Sequence, residues 1–207
     1  MRPRVKICGI TRVEDALLAE ELGADAIGMI FYPKSPRSVT PRAAAEICAA
    51  LGPLTTRVGV FVNETAGRIN AIAEECGLDR IQLHGDEPYA MLARLNRPGY
   101  RAFRVREDTD LAALAAEPDR VLLLDPHHPN YGGTGQRVDW ELARQAARQR
   151  PIILAGSLGP DNVVEAARTV RPHGLDASSA LEAEPGRKDH GKMNAYFNAL
   201  ATLAGGA

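Results

Sequence analysis

Short apolar segments rich in β-branched residues alternate with longer segments of helical spacing along the whole chain. Eight of the short segments are predicted to be strands, with estimated starts near residues 4, 25, 57, 79, 100, 121, 152 and 174. Successive starts are roughly 21 to 32 residues apart, about the length of one strand and one returning helix. The pattern therefore predicts repeated β/α units with parallel strands.

Three of the intervening segments carry apolar residues at positions i, i+3, i+4 and i+7, which is the pattern of one buried helix face. These stripes are Ala44, Ile47, Cys48 and Leu51; Ile69, Ile72, Ala73 and Cys76; and Val163, Ala166, Ala167 and Val170. Helix starts are marked by Thr11 with Glu14 as a capping box, and by Thr40 before Pro41. Pro160 marks a further start. The stripes predict helices that pack on the sheet.

Eight consecutive β/α units can close into a barrel that leaves no sheet edge, because each crossover returns its strand parallel and right-handed. A doubly wound sheet is the alternative, but Gly9-Ile10-Thr11 follows the first strand where a dinucleotide fingerprint would be expected. No linker divides the chain, and two half-barrels would expose strand edges. The fold class predicted is α/β, a single (β/α)8 TIM barrel with parallel strands over residues 1–207.

Charge and composition exclude several classes of partner. The 25 Lys and Arg residues balance 26 Asp and Glu residues, and the net charge of −1 points away from nucleic acid and from anionic membrane surfaces. No apolar run approaches the 18 residues of a membrane span, and the amino terminus lacks a signal-peptide core. The three cysteines have no disulfide or zinc spacing. We therefore expect a cytoplasmic protein whose partner is a small molecule.

In a barrel of this kind the site lies at the carboxyl ends of the strands. Two small-residue turns follow the last two strands, Gly156-Ser157 and Ser178-Ser179, and both precede helical segments. The seventh and eighth loops of such barrels often bind phosphate through backbone N–H groups and helix amino termini. Tight turns with no ligand are the plain alternative, but the pair of loops favours a phosphorylated substrate.

Other strand ends carry side chains with acid, base or ligand chemistry: Cys8, Arg37 in the loop Pro33–Ser38, Asn63, His84 and Asp125. Asp125 directly follows a buried strand, where burial and a nearby anion disfavour ionisation and suit a general acid. A helix cap or turn Asp before Pro126 is the alternative. A lone cysteine such as Cys8 is usually a small buried residue, so its position alone decides nothing.

Four further features are interpreted without catalytic roles. Cys48 and Cys76 lie within apolar stripes and are expected to be structural. His127 and His128 are adjacent in a Pro-flanked loop without metal-site spacing, so we expect solvated loop residues. The run Gly132–Gly135 lacks the phosphate-loop pattern and is interpreted as a mobile lid.

The order of these motifs resembles phosphoribosylanthranilate isomerase, a tryptophan-pathway enzyme, along nearly the whole chain. The resemblance rests on the following motifs: KICGIT at 6–11, FYPKSPR at 31–37, GVFVN at 59–63, IQLHG at 81–85, LLD at 123–125, GGTG at 132–135, LAGS at 154–157, PDNV at 160–163 and DASSALE at 176–182. It implies an Amadori rearrangement of N-(5-phosphoribosyl)anthranilate to 1-(2-carboxyphenylamino)-1-deoxyribulose 5-phosphate, with neither cofactor nor metal.

The resemblance also implies residue roles. Asp125 matches the acid that opens the furanose ring, and Cys8 matches the base that removes the C2 proton. Arg37 matches a position expected to hold the anthranilate carboxylate, and Gln82 and His84 line the pocket. The phosphate would lie against Gly156, Ser157, Ser178, Ser179 and Ala180.

The chain departs from the family pattern at two positions. Ser157 stands where the family usually has the second Gly of a Gly-Gly turn, and Ala180 replaces the Gly after the serines. A glycine accepts a positive φ without strain, so Ala180 is expected to restrict φ and to add a methyl group, whereas Ser157 adds a hydroxyl. Both changes are expected to alter phosphate affinity.

Two other functions fit parts of the pattern. A ribulose-phosphate epimerase would need His and Asp metal ligands at several strand ends, and only His84 fits readily. A phosphometabolite-binding protein without turnover would keep the barrel and its loops, although retention of both Cys8 and Asp125 argues against it. A monomer or a homodimer is expected.

Overall fold

The computed structural model describes residues 2–106, 108–126 and 137–203. Eight parallel strands form one closed barrel in chain order, with β8 paired to β1. The strands are β1 (Arg4–Cys8), β2 (Ala26–Ile30), β3 (Thr56–Phe61), β4 (Arg80–Leu83), β5 (Gly99–Val105), β6 (Leu122–Pro126), β7 (Ile152–Leu154) and β8 (Gly174–Ala177). The (β/α)8 barrel predicted from the alternation is confirmed, and each predicted strand start lies within one residue of the observed start.

Helices surround the barrel and connect successive strands. They are α1 (Val13–Glu21), α2 (Pro41–Ala50), α3 (Ala66–Cys76), α4 (Leu111–Ala116), α5 (Trp140–Gln149), α6 (Val163–Val170) and α7 (His190–Ala201). A 3-10 helix, Tyr89–Arg94, connects β4 to β5. After β8 the chain forms a short 3-10 turn, Ser179–Leu181, and a small antiparallel hairpin of β9 (Glu182–Glu184) and β10 (Arg187–Lys188). None of the helices in the described ranges is long and apolar enough to cross a membrane.

The apolar stripes predicted to be helix faces are buried against the sheet. Every residue of the three stripes is at most 8% exposed, including the two cysteines Cys48 and Cys76. These residues belong to one apolar core between the strands and the helices. The prediction that these cysteines are structural agrees with their place in that core.

Two of the predicted helix starts need correction. Thr40 caps α2 as expected, because its hydroxyl accepts the N–H of Ala43. The capping box at Thr11 is wrong: α1 begins at Val13 with no side-chain cap, and the Thr11 hydroxyl donates to the carbonyl of Gly186 in the β9–β10 turn. The helix expected near Pro160 begins at Val163.

Alternate residues on each strand point into the barrel, because side chains on a strand alternate between its two faces. The interior positions of β1 and β8 are polar, with Lys6 paired in register to Asp176. Gln82 on β4 pairs in register with Tyr100 on β5. The barrel interior below the mouth therefore contains a buried polar layer.

Candidate active site

The mouth of the barrel at the strand carboxyl ends brings together the thiol and the carboxyl predicted from the sequence. Cys8 is the last residue of β1, and Asp125 is the penultimate residue of β6. In the barrel order these strands are separated by β7 and β8, so the two side chains approach the mouth from different sides. Cys8 is 7% exposed, and the Asp125 side chain is 14% exposed. A substrate in the mouth would lie between a thiol and a carboxyl.

A chain of hydrogen bonds leads from the barrel interior to Asp125. The Tyr100 hydroxyl donates to Gln82 Oε1 over 3.0 Å, and Gln82 Nε2 lies 2.8 Å from His84 Nδ1. His84 Nε2 lies 3.3 Å from Asp125 Oδ2. Gln82 and His84 were predicted to line the pocket; the structure places His84 beside Asp125 and Gln82 behind His84. The hydrogen bonds hold the imidazole and the carboxyl in a fixed relative orientation.

A buried ion pair lies one layer below Cys8. Lys6 Nζ donates to both carboxylate oxygens of Asp176, at 2.9 and 3.0 Å, and both side chains are almost fully enclosed. Burial lowers the pKa of Lys6, but the Asp176 carboxylate and neighbouring groups outweigh it, so the pKa is raised. Lys6 is therefore a permanent cation within the barrel.

The pKa of the Cys8 thiol is raised, and burial is the main cause. The Asp176 carboxylate raises it further, whereas the ammonium groups of Lys6 and Lys188 lower it. Burial similarly raises the pKa of Tyr100, which faces the same interior. The thiol environment thus contains two cations that favour the thiolate and one anion that opposes it.

Lys188 on β10 ties the hairpin to the mouth. Its ammonium donates to the carbonyl of Cys8 at 2.7 Å, to the carbonyl of Ser178 at 3.1 Å and to Glu182 Oε1 at 3.2 Å. The side chain has no exposed surface, and this burial lowers its pKa. One buried cation therefore holds together the carboxyl ends of β1 and β8.

Arg37 lies at the mouth, but much of its guanidinium is already paired. Its Nε and Nη2 atoms donate to the Glu182 carboxylate at 2.7 to 3.1 Å, and Nη1 has no hydrogen-bond partner among the described residues. A Cβ on Gly9, which has a φ of +72°, would stand 2.7 Å from Arg37 Cδ, so glycine is required for this approach. Arg37 was expected to hold the anthranilate carboxylate, and the structure leaves one of its nitrogens, Nη1, for a ligand.

The loop after β7 has the conformation expected of an anion-binding turn. Gly156 and Ser157 both have positive φ, at +93° and +51°, so consecutive residues take left-handed conformations. The Asn162 side chain closes the loop, since its Oδ1 accepts the Gly159 N–H and its Nδ2 donates to the Ser157 carbonyl. Ser157 thus has a left-handed backbone conformation, which is strained for a residue with a Cβ atom and unstrained for glycine.

The loop after β8 lies against the loop after β7. A Cβ on Gly159 would stand 3.2 Å from the Cβ of Ala180. Ser178 Oγ donates to the Cys8 carbonyl at 3.0 Å, so this hydroxyl holds the end of β1. Within the described ranges, Ala180 is not among the residues with positive φ, so the alanine adopts its φ here without strain.

Four backbone N–H groups in these two loops are available to a ligand. Those of Gly156, Ser157, Ser179 and Ala180 have no hydrogen-bond acceptor in the part of the chain that the structure describes. The four residues are half-buried at the mouth. Such N–H groups favour an anion, and the two loops meet where the phosphate was predicted.

Sequence reasoning did not single out several polar residues at the site. Lys6, Asp176, Glu182 and Lys188 are all at most 8% exposed and paired with one another or with backbone carbonyls. Lys6 and Asp176 carried one usable signal, since each is a charged residue with apolar residues on both sides along its strand. His127, His128 and Gly132–Gly135 lie outside the described residues.

A closed parallel barrel with a thiol, a carboxyl and two N–H-rich loops at its carboxyl mouth defines a class of protein: a (β/α)8-barrel enzyme with an anion-binding site. Residues 5–199 match the family model for N-(5'-phosphoribosyl)anthranilate isomerase. The chain belongs to this family, and its activity is the isomerisation of phosphoribosylanthranilate in tryptophan biosynthesis.

Relatives agree over the full length of the chain. An N-(5'-phosphoribosyl)anthranilate isomerase of Magnetococcus marinus is 49% identical over 208 residues, covering 100% of this chain and 99% of the relative. The crystal structure of the isomerase from Thermus thermophilus superimposes with a TM-score of 0.88 at 40% identity, covering 97% of this chain and 99% of that one. A crystal structure of the isomerase in complex with reduced 1-(o-carboxyphenylamino)-1-deoxyribulose 5-phosphate superimposes with a TM-score of 0.85 at 39% identity, covering 97% of this chain and 100% of that one.

Proposed function

We propose that Asp125 is the general acid and Cys8 the general base of this isomerisation. The observation that carries the proposal is their placement: a carboxyl on β6 and a thiol on β1 approach the same barrel mouth from different sides. Acid–base catalysis on a sugar ring needs a proton donor near the ring oxygen and an acceptor near C2. Two groups on separate strands satisfy both needs at once.

In the first step Asp125 protonates the furanose ring oxygen. The bond from this oxygen to C1 then breaks, and the anthranilate nitrogen forms a double bond to C1 as an iminium ion. The hydrogen-bond directions support this role, because the Tyr100 hydroxyl fixes Gln82 Nε2 as a donor to His84 Nδ1. His84 then carries its proton on Nε2 and donates it to Asp125 Oδ2. Oδ1 is left to carry the acidic proton.

In the second step the Cys8 thiolate removes the C2 proton. The electron pair of the C–H bond forms a double bond between C1 and C2, and the iminium nitrogen becomes neutral. The resulting enol loses its hydroxyl proton while C1 gains one, which gives the ketose. The cations Lys6 and Lys188 near Cys8 support this role, since a thiolate, not a thiol, is the base.

The substrate phosphate is proposed to bind the loops after β7 and β8. Four half-buried N–H groups, those of Gly156, Ser157, Ser179 and Ala180, would face it. The relative crystallised with a reduced 5-phosphate product analogue supports a phosphorylated ligand for this family. The Ser178 hydroxyl is proposed to support the loop without contacting the phosphate, because it already donates to the Cys8 carbonyl.

The anthranilate carboxylate is proposed to bind Arg37. Nη1 is the nitrogen available for it, because Nε and Nη2 are held by Glu182. The ion pair with Glu182 fixes the orientation of the guanidinium before substrate arrives. The expected contact is therefore a single charge-assisted hydrogen bond from a pre-oriented group.

The cellular location proposed is the cytoplasm. All three cysteines, Cys8, Cys48 and Cys76, are free thiols in the structure. Unpaired thiols are typical of a reducing compartment, which supports the expectation from the sequence.

The pH dependence of kcat/KM tests the assigned roles. The wild type should give a bell-shaped profile, in which the rising limb reports a thiol that must lose its proton and the falling limb an acid that must keep one. In Asp125→Asn the residual activity should lose the falling limb, and in Cys8→Ser it should lose the rising limb. A profile that keeps both limbs in both variants would overturn the assignment.

A further inference from the structure

The barrel interior contains a buried ion pair between Lys6 and Asp176. Interior positions on other strands of the barrel, such as Val58 on β3 and Leu123 on β6, are apolar and buried. An ion pair at such a position pays a desolvation penalty that apolar residues avoid, so it is weak as a device for stability. Its presence directly below the thiol points to a role in the chemistry.

The backbone places the Lys6 ammonium and the Cys8 sulfur on the same side of β1. Residues 6 and 8 are two apart on a strand and so share its interior face. The register partner of Cys8 on β2 is Gly28, and a Cβ at Gly28 would stand 2.9 Å from Lys6 Nζ and 3.0 Å from Cys8 Sγ. The missing side chain at Gly28 therefore leaves one small space that the ammonium and the sulfur both border.

The hydrogen-bond capacity of Lys6 leaves one donor for the sulfur. An ammonium group has three N–H bonds. Two of them are directed to the two oxygens of Asp176 at 2.9 and 3.0 Å. Asp176 thereby fixes the position of Nζ beside the space that Cys8 also borders, and the third N–H remains for another acceptor.

We propose that Lys6, held in place by Asp176, is a positioning residue that directs an N–H and a fixed positive charge at the Cys8 sulfur and so stabilises its thiolate. The inference rests on the proposed role of Cys8 as the base. The other charged or titratable groups facing the sulfur are Asp176 on β8, Tyr100 on β5 and Lys188 on β10. The positive charge of Lys6 lowers the pKa of Cys8.

The proposal predicts that removing either charge of the ion pair shifts the pKa of the Cys8 thiol, and that the two shifts have opposite signs. Lys6→Met removes the cation and should raise the pKa of the Cys8 thiol. Asp176→Asn removes the opposing anion and should lower it. If the ion pair had only a structural role, both variants would lose packing, and the pKa of Cys8 would not shift in opposite directions.

The measurement is the rate of alkylation of Cys8 by iodoacetamide as a function of pH, followed on the Cys8 peptide by mass spectrometry in the free enzyme. Burial raises the pKa of Cys48 to about 12 and of Cys76 to about 11, so neither thiol interferes near neutral pH. Lys6→Met should slow alkylation at neutral pH by about tenfold, equivalent to a rise of one pKa unit. Lys6→Arg should restore part of the rate, since it keeps the charge.

Arg4→Met is the matched control, because Arg4 is a cation two residues earlier on the same strand but is 72% exposed. It should leave the pKa of Cys8 unchanged. If Lys6→Met fails to fold, Lys6→Gln takes its place, since it removes the charge but keeps a polar donor: slower alkylation of Cys8 supports the proposal, and an unchanged rate overturns it.

The outcome is separable from that of the proposed function. If Cys8→Ser keeps its activity, the assignment of the base fails, whatever Lys6 does. If Cys8→Ser is inactive but Lys6→Met leaves the pKa of Cys8 in place, only the inference about Lys6 fails.

Discussion

Replacing Lys188 by Met should destabilise the folded state, because this ammonium is the link between three groups at the barrel mouth. Its hydrogen bonds go to the carbonyls of Cys8 and Ser178 and to the carboxylate of Glu182, and its side chain is fully enclosed. In the variant both carbonyls lose this buried donor, while Glu182 keeps its ion pair with Arg37.

The expected loss follows from these contacts. Removing one partner of a buried ion pair costs about 3 to 5 kcal/mol when the other charge is left alone. The remaining pair with Arg37 and the release of a desolvated ammonium reduce the loss at Lys188 to about 3 kcal/mol. For a chain of this size, a loss of that order corresponds to a fall in Tm of roughly 6 to 12 °C.

Urea unfolding followed by circular dichroism measures this free energy through the midpoint, provided that the slope m is unchanged. Arg187→Met is the matched control, because Arg187 is the neighbouring cation on β10 and is 54% exposed. It should change the free energy of unfolding by less than about 0.5 kcal/mol. A loss below about 1 kcal/mol in Lys188→Met would refute the view that this cation holds the mouth together.

The remaining predictions concern substrate affinity. Arg37→Ala should raise KM more than it lowers kcat in steady-state kinetics, since the carboxylate is present before and during reaction. It should also remove one partner of Glu182. Burial raises the pKa of Glu182, but Arg37 and Lys188 outweigh burial and lower it. The variant should therefore lose stability most clearly above the ordinary glutamate pKa, where the carboxylate is charged in both the folded and the unfolded state. Ser157→Gly and Ala180→Gly, singly or together, should change KM by less than about tenfold. Ser157→Gly removes the strain of a left-handed φ, which costs about 1 kcal/mol, but glycine also gives the unfolded chain more conformational entropy, at a similar cost. The free energy of unfolding measured in urea should therefore change by less than about 1 kcal/mol.

Features that repeat locally along the chain could be predicted from the sequence. The stripe Ala44, Ile47, Cys48 and Leu51 is buried as expected, since four apolar positions at helical spacing can face only one side. The strand ends at Cys8 and Asp125 could also be located, because each is the polar or reactive residue that closes an apolar run. Both features depend on neighbours within one or two turns of chain.

Features that depend on distant partners could not be predicted in the same way. Thr11 reads as a cap from its spacing to Glu14, but its hydroxyl bonds Gly186, 175 residues further on. Nothing near Lys188 in the sequence indicates that it contacts the carbonyl of Cys8, 180 residues earlier. Nothing near Arg37 in the sequence indicates Glu182 as the partner of its guanidinium.

Turnover by two single variants tests the central claim most directly, namely that Asp125 and Cys8 perform the chemistry at this mouth. Enzymatically generated phosphoribosylanthranilate would be added to the wild type, Cys8→Ser and Asp125→Asn, and kcat would be followed by the loss of anthranilate fluorescence. Matched controls are Cys48→Ala in the outer core and Asp110→Asn, which keeps a capping side chain at α4.

Both site variants should fold as the wild type does, with kcat lower by at least about 10²-fold, while the controls stay near wild-type turnover. A folded Cys8→Ser or Asp125→Asn with near-normal kcat would contradict the account.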